Sequence, residues 1–189
     1  CNQTSILTGG AGCGKTTTVR FIIGVMEKLS KICRISGVEI ALAAPTGMAA
    51  KRMKASTGKE AQTIHKLIEY NPALPALTLN EDNPLPYDFV IVDELSMVDI
   101  DTMAMLLRAV RGDTQLLLLG DVNQLPSIGP GEVLHDMINS GIFQVTALKR
   151  SFRHGARRTI LDNANRVLEG STAVSYTHLR AHETDQYLV

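Results

Sequence analysis

The chain has 189 residues, 44% of them hydrophobic and 20% charged, which is enough for one well-cored domain. Its 19 basic and 19 acidic residues cancel, so a basic tail is excluded as the device for holding nucleic acid, and any phosphate-binding surface must be local. No apolar run approaches the roughly 20 residues that a membrane-spanning helix needs.

The elements alternate from the start. Ser5-Ile6-Leu7-Thr8 is a short apolar run meeting Gly9-Gly10, the pattern of a buried strand entering a tight turn. From Thr16 the period becomes helical, with Val19, Ile22, Ile23, Met26 and Leu29 on one predicted stripe. Residues 38–44 read as a second strand stopped by Pro45, and helices are predicted over 48–55 and 62–70. Residues 71–86 hold four prolines and no period, which predicts a surface connection.

Phe89-Val90-Ile91-Val92 is a third strand, continuously apolar as burial on both faces requires. Ile100, Met103, Leu107 and Val110 mark a helix opened by Asp99 or Asp101 near its positive end. Residues 116–119 predict a fourth strand, 132–139 a short helix and 143–148 a fifth strand. Ile160, Leu161, Ala164, Val167 and Leu168 stripe a last helix that Gly170 is placed to end. Alternation of this kind predicts an α/β fold, a parallel sheet with helices on both faces.

Cys1, Cys13 and Cys33 are odd in number and form no CxxC pair, so neither a disulfide framework nor a Cys-built zinc site is expected. A reducing cytoplasm fits that usage. The opening Cys1-Asn2-Gln3 has neither an initiator Met nor the regions of a signal peptide, as expected of a piece of something longer.

Gly9-Gly10-Ala11-Gly12-Cys13-Gly14-Lys15-Thr16 fits the spacing G-x-x-x-x-G-K-[ST]. Glycines let the backbone wrap a phosphate chain with its N–H groups inward, and the following helix N-terminus favours negative charge. Gly10, Gly12, Cys13, Gly14, Lys15, Thr16 and Thr17 are therefore the candidate ATP contacts. Lys15 is expected at the outer phosphates and the Thr16 hydroxyl on Mg2+. An ordinary Gly-rich turn is the competing reading, and the predicted strand before and helix after count against it.

Asp93 and Glu94 follow a buried strand, at the edge where ligands bind in open parallel sheets. Asp93 can hold Mg2+, while Glu94 is placed to polarise a water attacking the γ-phosphate. Gly120-Asp121-Val122-Asn123-Gln124 repeats the design. Gln124, both donor and acceptor, suits sensing the γ-phosphate or orienting water, although Asp-x-Asn is also a turn former. Two basic clusters, Lys51/Arg52/Lys54 and Lys149/Arg150/Arg153/Arg157/Arg158, could meet phosphates or simply face solvent. His65 has no metal-ligand partner at helical spacing.

This constellation resembles the RecD-like branch of superfamily 1 DNA helicases. Residues 9–18 look like that family's motif I, and Ala44-Pro45-Thr46-Gly47-Met48-Ala49-Ala50-Lys51-Arg52-Met53 like motif Ia. Thr63-Ile64-His65-Lys66-Leu67 resembles the next DNA-facing motif, and Val92-Asp93-Glu94-Leu95-Ser96-Met97-Val98-Asp99 resembles motif II. Residues 120–131 resemble motif III, and Ser151-Phe152-Arg153-His154 with Asn163-Ala164-Asn165 resembles motif IV and its helix.

The resemblance implies the first RecA-like motor domain of a P-loop NTPase, ATP-driven and moving 5′ to 3′ on single-stranded DNA in repair or recombination. By that similarity Pro45, Thr46, Thr63 and His65 face the DNA, while Gln124 and Arg153 report on the γ-phosphate. Lys15, Glu94, Gln124 and Arg153 are then the catalytic set. Ala11, Cys13, Met48, Leu95 and His154 depart from the family pattern, and Met48 replaces an arginine and so removes a charge.

Nothing in the chain resembles the second motor domain with its arginine finger, so the implied partners are that domain and other subunits of a repair complex. No membrane partner is implied. A conjugative relaxase–helicase motor, or a nucleotide switch that does not unwind, are the alternatives. The motor domain is expected over 1–173. Val174-Ser175-Tyr176-Thr177-His178-Leu179-Arg180-Ala181-His182-Glu183-Thr184 can be encoded by a transposase sequencing adapter read in frame, so 174–189 is expected to be an unstructured, non-native tail.

Overall fold

The computed structural model describes residues 3–33, 37–73 and 78–149. The segments resembling motif IV, including Arg153, the predicted last helix and the tail from Val174 lie outside the described residues, as does Cys1.

Six strands form one sheet in the order β3-β2-β4-β5-β1-β6, and every neighbouring pair is parallel. The strands are β1 (Thr4–Gly9), β2 (Ile40–Ala44), β3 (Ala61–Thr63), β4 (Phe89–Val92), β5 (Gln115–Gly120) and β6 (Gln144–Leu148). The helices are α1 (Lys15–Cys33), α2 (Gly47–Thr57), α3 (Ile64–Leu67), α4 (Ile100–Ala109) and α5 (Val133–Asn139). A 3-10 turn spans Leu95–Met97. The expected α/β architecture is present.

Successive side chains of a strand point to opposite faces, and β5 shows what that does. Leu116 and Leu118 pack with Ile64, Leu67, Leu106 and Leu134 of α3, α4 and α5. Leu117 and Leu119 pack with Val19, Ile23 and Met53 of α1 and α2. Burying one such leucine contributes about 1.5–3 kcal/mol, so both faces of β5 add to the core. Among the described residues no helix is long and apolar enough to cross a membrane.

The structure departs from expectation in four places. The stretch 62–70 is not one helix. Gln62 and Thr63 instead pair with Ala43 and Ala44 of β2 as the edge strand β3, making a sixth strand. Thr63 Oγ1 then accepts the Lys66 N–H at 3.2 Å, so α3 starts only at Ile64. Glu69, at φ 51, adopts the left-handed conformation just beyond the end of α3. Sheet pairing has overridden helical spacing here.

The connection over 71–86 is not wholly a surface segment, because Leu79 and Leu85 are buried and the Leu85 N–H bonds to the Ala109 carbonyl at 2.7 Å. On α1 the buried positions are Val19, Ile23 and Ser30, while Leu29 is exposed. The first residues predicted for β2, Val38 and Glu39, precede the strand, which begins at Ile40.

The α4 N-terminus resolves as Asp99, whose carboxylate accepts the Thr102 N–H at 2.8 Å. Hydrogen bonds from the Thr102 hydroxyl and N–H hold the Asp99 carboxyl below its ordinary pKa, and the nearby His65 charge adds to this. Asp99→Ala is expected to cost about 1 kcal/mol at neutral pH, the usual worth of such a cap. Because the folded pKa is the lower one, that contribution is present above about pH 4 and vanishes as pH falls through the folded value. Urea melts of the two proteins should therefore differ at neutral pH and converge in acid. Equal stability at neutral pH contradicts the assignment.

Candidate functional site

Because all six strands run parallel, their C-terminal ends share one edge, and the loops that follow them are brought together there. The loop between β1 and α1 turns on Gly12 and Gly14, at φ 78 and 87, a region that L side chains enter only under strain. The Cys13 N–H bonds back to the Gly10 carbonyl at 3.3 Å, which closes the turn. Lys15 opens α1, and its Nζ donates to the Gly9 carbonyl and, at 3.4 Å, to that of Gly10.

A cavity of about 1040 Å³ lies over this loop, and residues 10–18 form one side of it. Gly10, Gly12, Cys13, Gly14, Lys15, Thr16 and Thr17 therefore all border one space. Cys13 itself is buried. Asp93 and Glu94, at the end of β4, border the same space, as does Gln124 after β5. Five candidates from three loops thus converge: Lys15, Thr16, Asp93, Glu94 and Gln124.

The Asp93 carboxylate accepts the Glu94 N–H at 2.9 Å. Burial pushes its pKa up and the Glu94 charge adds to that, while the same N–H bond and the Lys15 ammonium pull it down. A partly dry carboxylate and a hydroxyl such as that of Thr16, both bordering the cavity, are a hard-oxygen donor set suited to Mg2+, which takes one or two protein oxygens and completes its shell with phosphate and water. Glu94 sits at φ 57, ψ 42, an unusual conformation for a side-chain-bearing residue. Such strain persists where surrounding structure over-determines it, commonly at reactive sites.

After β5 the chain turns on Asp121, whose carboxylate accepts the Asn123 N–H at 3.0 Å and whose carbonyl accepts the Gln124 N–H at 3.1 Å. The turn reading of Asp-x-Asn holds, and that turn carries Gln124 to the edge of the cavity.

The sequence left one wall undetected. Ala49, Arg52, Met53 and Ser56 of α2 line the cavity, at a spacing that puts them on one helix face. The signal was present in the Lys51/Arg52/Lys54 cluster, of which only Arg52 reaches the cavity, while Lys54 pairs with Glu60 at 2.6 Å.

The candidates for facing DNA do not line this cavity. Thr46 and Thr63 instead cap α2 and α3, accepting the Ala49 and Lys66 N–H groups at 3.2 Å each, Thr46 just past β2 and Thr63 as the last residue of β3. Pro45 precedes Thr46. His65 is exposed, meets Tyr70 edge-to-face at 5.4 Å, and borders a separate depression of about 760 Å³ with Lys66 and Tyr87.

Residues 1–130 match a family described as an AAA domain. The chain is 36% identical over 189 aligned positions to the RecBCD enzyme subunit RecD of Mycolicibacterium smegmatis, covering 90% of this chain and 34% of that protein. It is 37% identical over 165 positions to the ATP-dependent RecD2 DNA helicase of Deinococcus radiodurans, covering 87% of this chain and 22% of that protein. The chain thus spans about a third or less of these relatives. Its fold is similar to that of Bacteroides Pif1 bound to single-stranded DNA, with a TM-score of 0.60 and 23% identity over 90% of this chain and 43% of that one. A Bacteroides Pif1 in complex with ADP-AlF4 is similar at a TM-score of 0.57 and 23% identity, covering 92% of this chain and 44% of that one.

Proposed function

Because the chain belongs to the AAA domain family, as a RecD-like motor domain of superfamily 1 helicase type, we propose that it binds and hydrolyses ATP to drive 5′ to 3′ movement on single-stranded DNA in repair or recombination. The observation that carries this reading is the convergence of Lys15, Thr16, Asp93, Glu94 and Gln124 on one cavity from three strand ends.

ATP is the substrate, held by backbone N–H groups of the loop and helix start over residues 10–17 that line the cavity and by the Lys15 ammonium at its outer phosphates. The Thr16 hydroxyl and the Asp93 carboxylate would hold Mg2+, which would supply charge neutralisation on the phosphates. Glu94 takes the proton of the attacking water, a role worth roughly 10²–10⁴-fold in rate. Gln124 contacts the terminal phosphate, and Arg52 on α2 adds a cation from the facing wall. Arg153 joins them by family likeness alone.

Thr46 and Thr63 have their oxygens committed as helix caps, yet each hydroxyl keeps its proton for donation to a DNA phosphate. With Pro45 and His65 they form the proposed DNA track. The proposed partners are single-stranded DNA, a second RecA-like domain, and other subunits of a repair complex, in line with the subunit names of the relatives.

Direction is the most exposed part of the reading. The complete gene product is expected to displace streptavidin from the 3′ end of a biotinylated oligonucleotide, ATP-dependently, and to leave a 5′ block in place. Displacement from the 5′ end contradicts the proposed polarity.

A further inference from the structure

Ser96 is buried, in the 3-10 turn two residues past Glu94, and its hydroxyl donates to Gln124 Oε1 at 3.1 Å. A buried serine usually satisfies itself on a nearby backbone carbonyl. This one reaches instead to an exposed side chain of another loop, and that side chain borders the cavity holding Glu94.

The choice of atom has a chemical consequence. A carboxamide is nearly symmetric in shape but opposite in polarity at its two ends. Facing a phosphate, its NH2 attracts and its oxygen repels. A hydroxyl donor on Oε1 selects the orientation in which the NH2 end is the one offered to an anion.

The backbone around this contact is stitched to the same segment. The Ile100 N–H bonds to the Pro130 carbonyl at 2.9 Å. Gly129 packs so closely on Asp99 that a Cβ would stand 2.2 Å from the carboxylate Oδ2, so no larger residue fits. The 121–131 loop and the start of α4 are therefore held together at two points besides Ser96.

We infer that Ser96 is a positioning residue for Gln124: its hydroxyl locks the amide so that the NH2 end faces the terminal phosphate. The inference rests on the ATP-hydrolysis reading above. Ser96 touches no substrate itself, and its effect passes wholly through Gln124.

The test compares Ser96→Ala, Gln124→Ala, the double variant and Glu94→Gln in the complete gene product, measuring steady-state ATP turnover and the affinity for a fluorescent ATP analogue. Ser96→Ala is expected to lower kcat about tenfold, the bias that one ordinary hydrogen bond imposes. Its nucleotide affinity should stay within about twofold, and the double variant should fall no lower than Gln124→Ala alone, because the two changes break one unit. Multiplying effects in the double variant, an unchanged kcat in Ser96→Ala, or a loss of affinity rather than of kcat would each overturn the inference. If Glu94→Gln hydrolyses ATP like the wild type, the hydrolysis reading fails and takes this inference with it. A dead Glu94→Gln beside an unaffected Ser96→Ala removes the inference alone.

Discussion

Lys15→Ala is expected to abolish measurable ATP binding. Lys15 is the cation at the start of α1 where the glycine loop closes, and its Nζ already lies at the Gly9 and Gly10 carbonyls on the floor of the cavity. One ammonium about 4 Å from a phosphate charge is worth roughly 4 kcal/mol at the dielectric typical of a protein surface. That corresponds to about a thousandfold in affinity, since each 1.4 kcal/mol is tenfold. The fold should survive, because Lys15 is partly exposed and its described bonds go only to loop carbonyls. Titration with a fluorescent ATP analogue, beside a thermal melt of each protein, separates the two effects. Wild-type affinity in the variant would mean that the phosphates lie elsewhere.

Glu94→Gln is expected to bind ATP normally and to lose turnover by about 10²–10⁴-fold, the range for removing a general base. The substitution keeps size and leaves Asp93, whose carboxylate is fixed by a backbone N–H rather than by the Glu94 side chain. It removes only the group that can accept a proton. The left-handed backbone at Glu94 makes a second outcome specific: Glu94→Gly, free of strain at that φ, should stabilise the fold or leave it unchanged while turnover still disappears. Hydrolysis at the wild-type rate in the Gln variant sinks the assignment of Glu94.

The central strands β4 and β5 were legible because buried parallel strands are written as unbroken apolar runs, and β1 because its short Ile6-Leu7 core runs into the Gly9-Gly10 turn. The glycine loop and the Asp93-Glu94 pair were legible for a different reason, since their chemistry needs particular residues at fixed offsets. What the sequence hid were features decided by distant partners. β3 carries only three residues and exists because Ala61, Gln62 and Thr63 pair with β2. The α2 wall depends on how that helix packs beside α1, which turns Arg52 to the cavity and Lys54 to Glu60. The Ser96–Gln124 bond joins residues 28 positions apart, beyond the reach of any local pattern.

The central claim, that these strand-end loops form a DNA-coupled motor rather than a nucleotide switch, is tested most directly by steady-state ATP hydrolysis of the complete gene product with and without single-stranded DNA. A motor of the proposed kind, with its nucleotide loops and proposed DNA-facing caps on one sheet edge, should hydrolyse slowly alone and at least about tenfold faster with DNA, about 1.4 kcal/mol off the barrier. Turnover that is identical in the presence and absence of DNA would contradict the account.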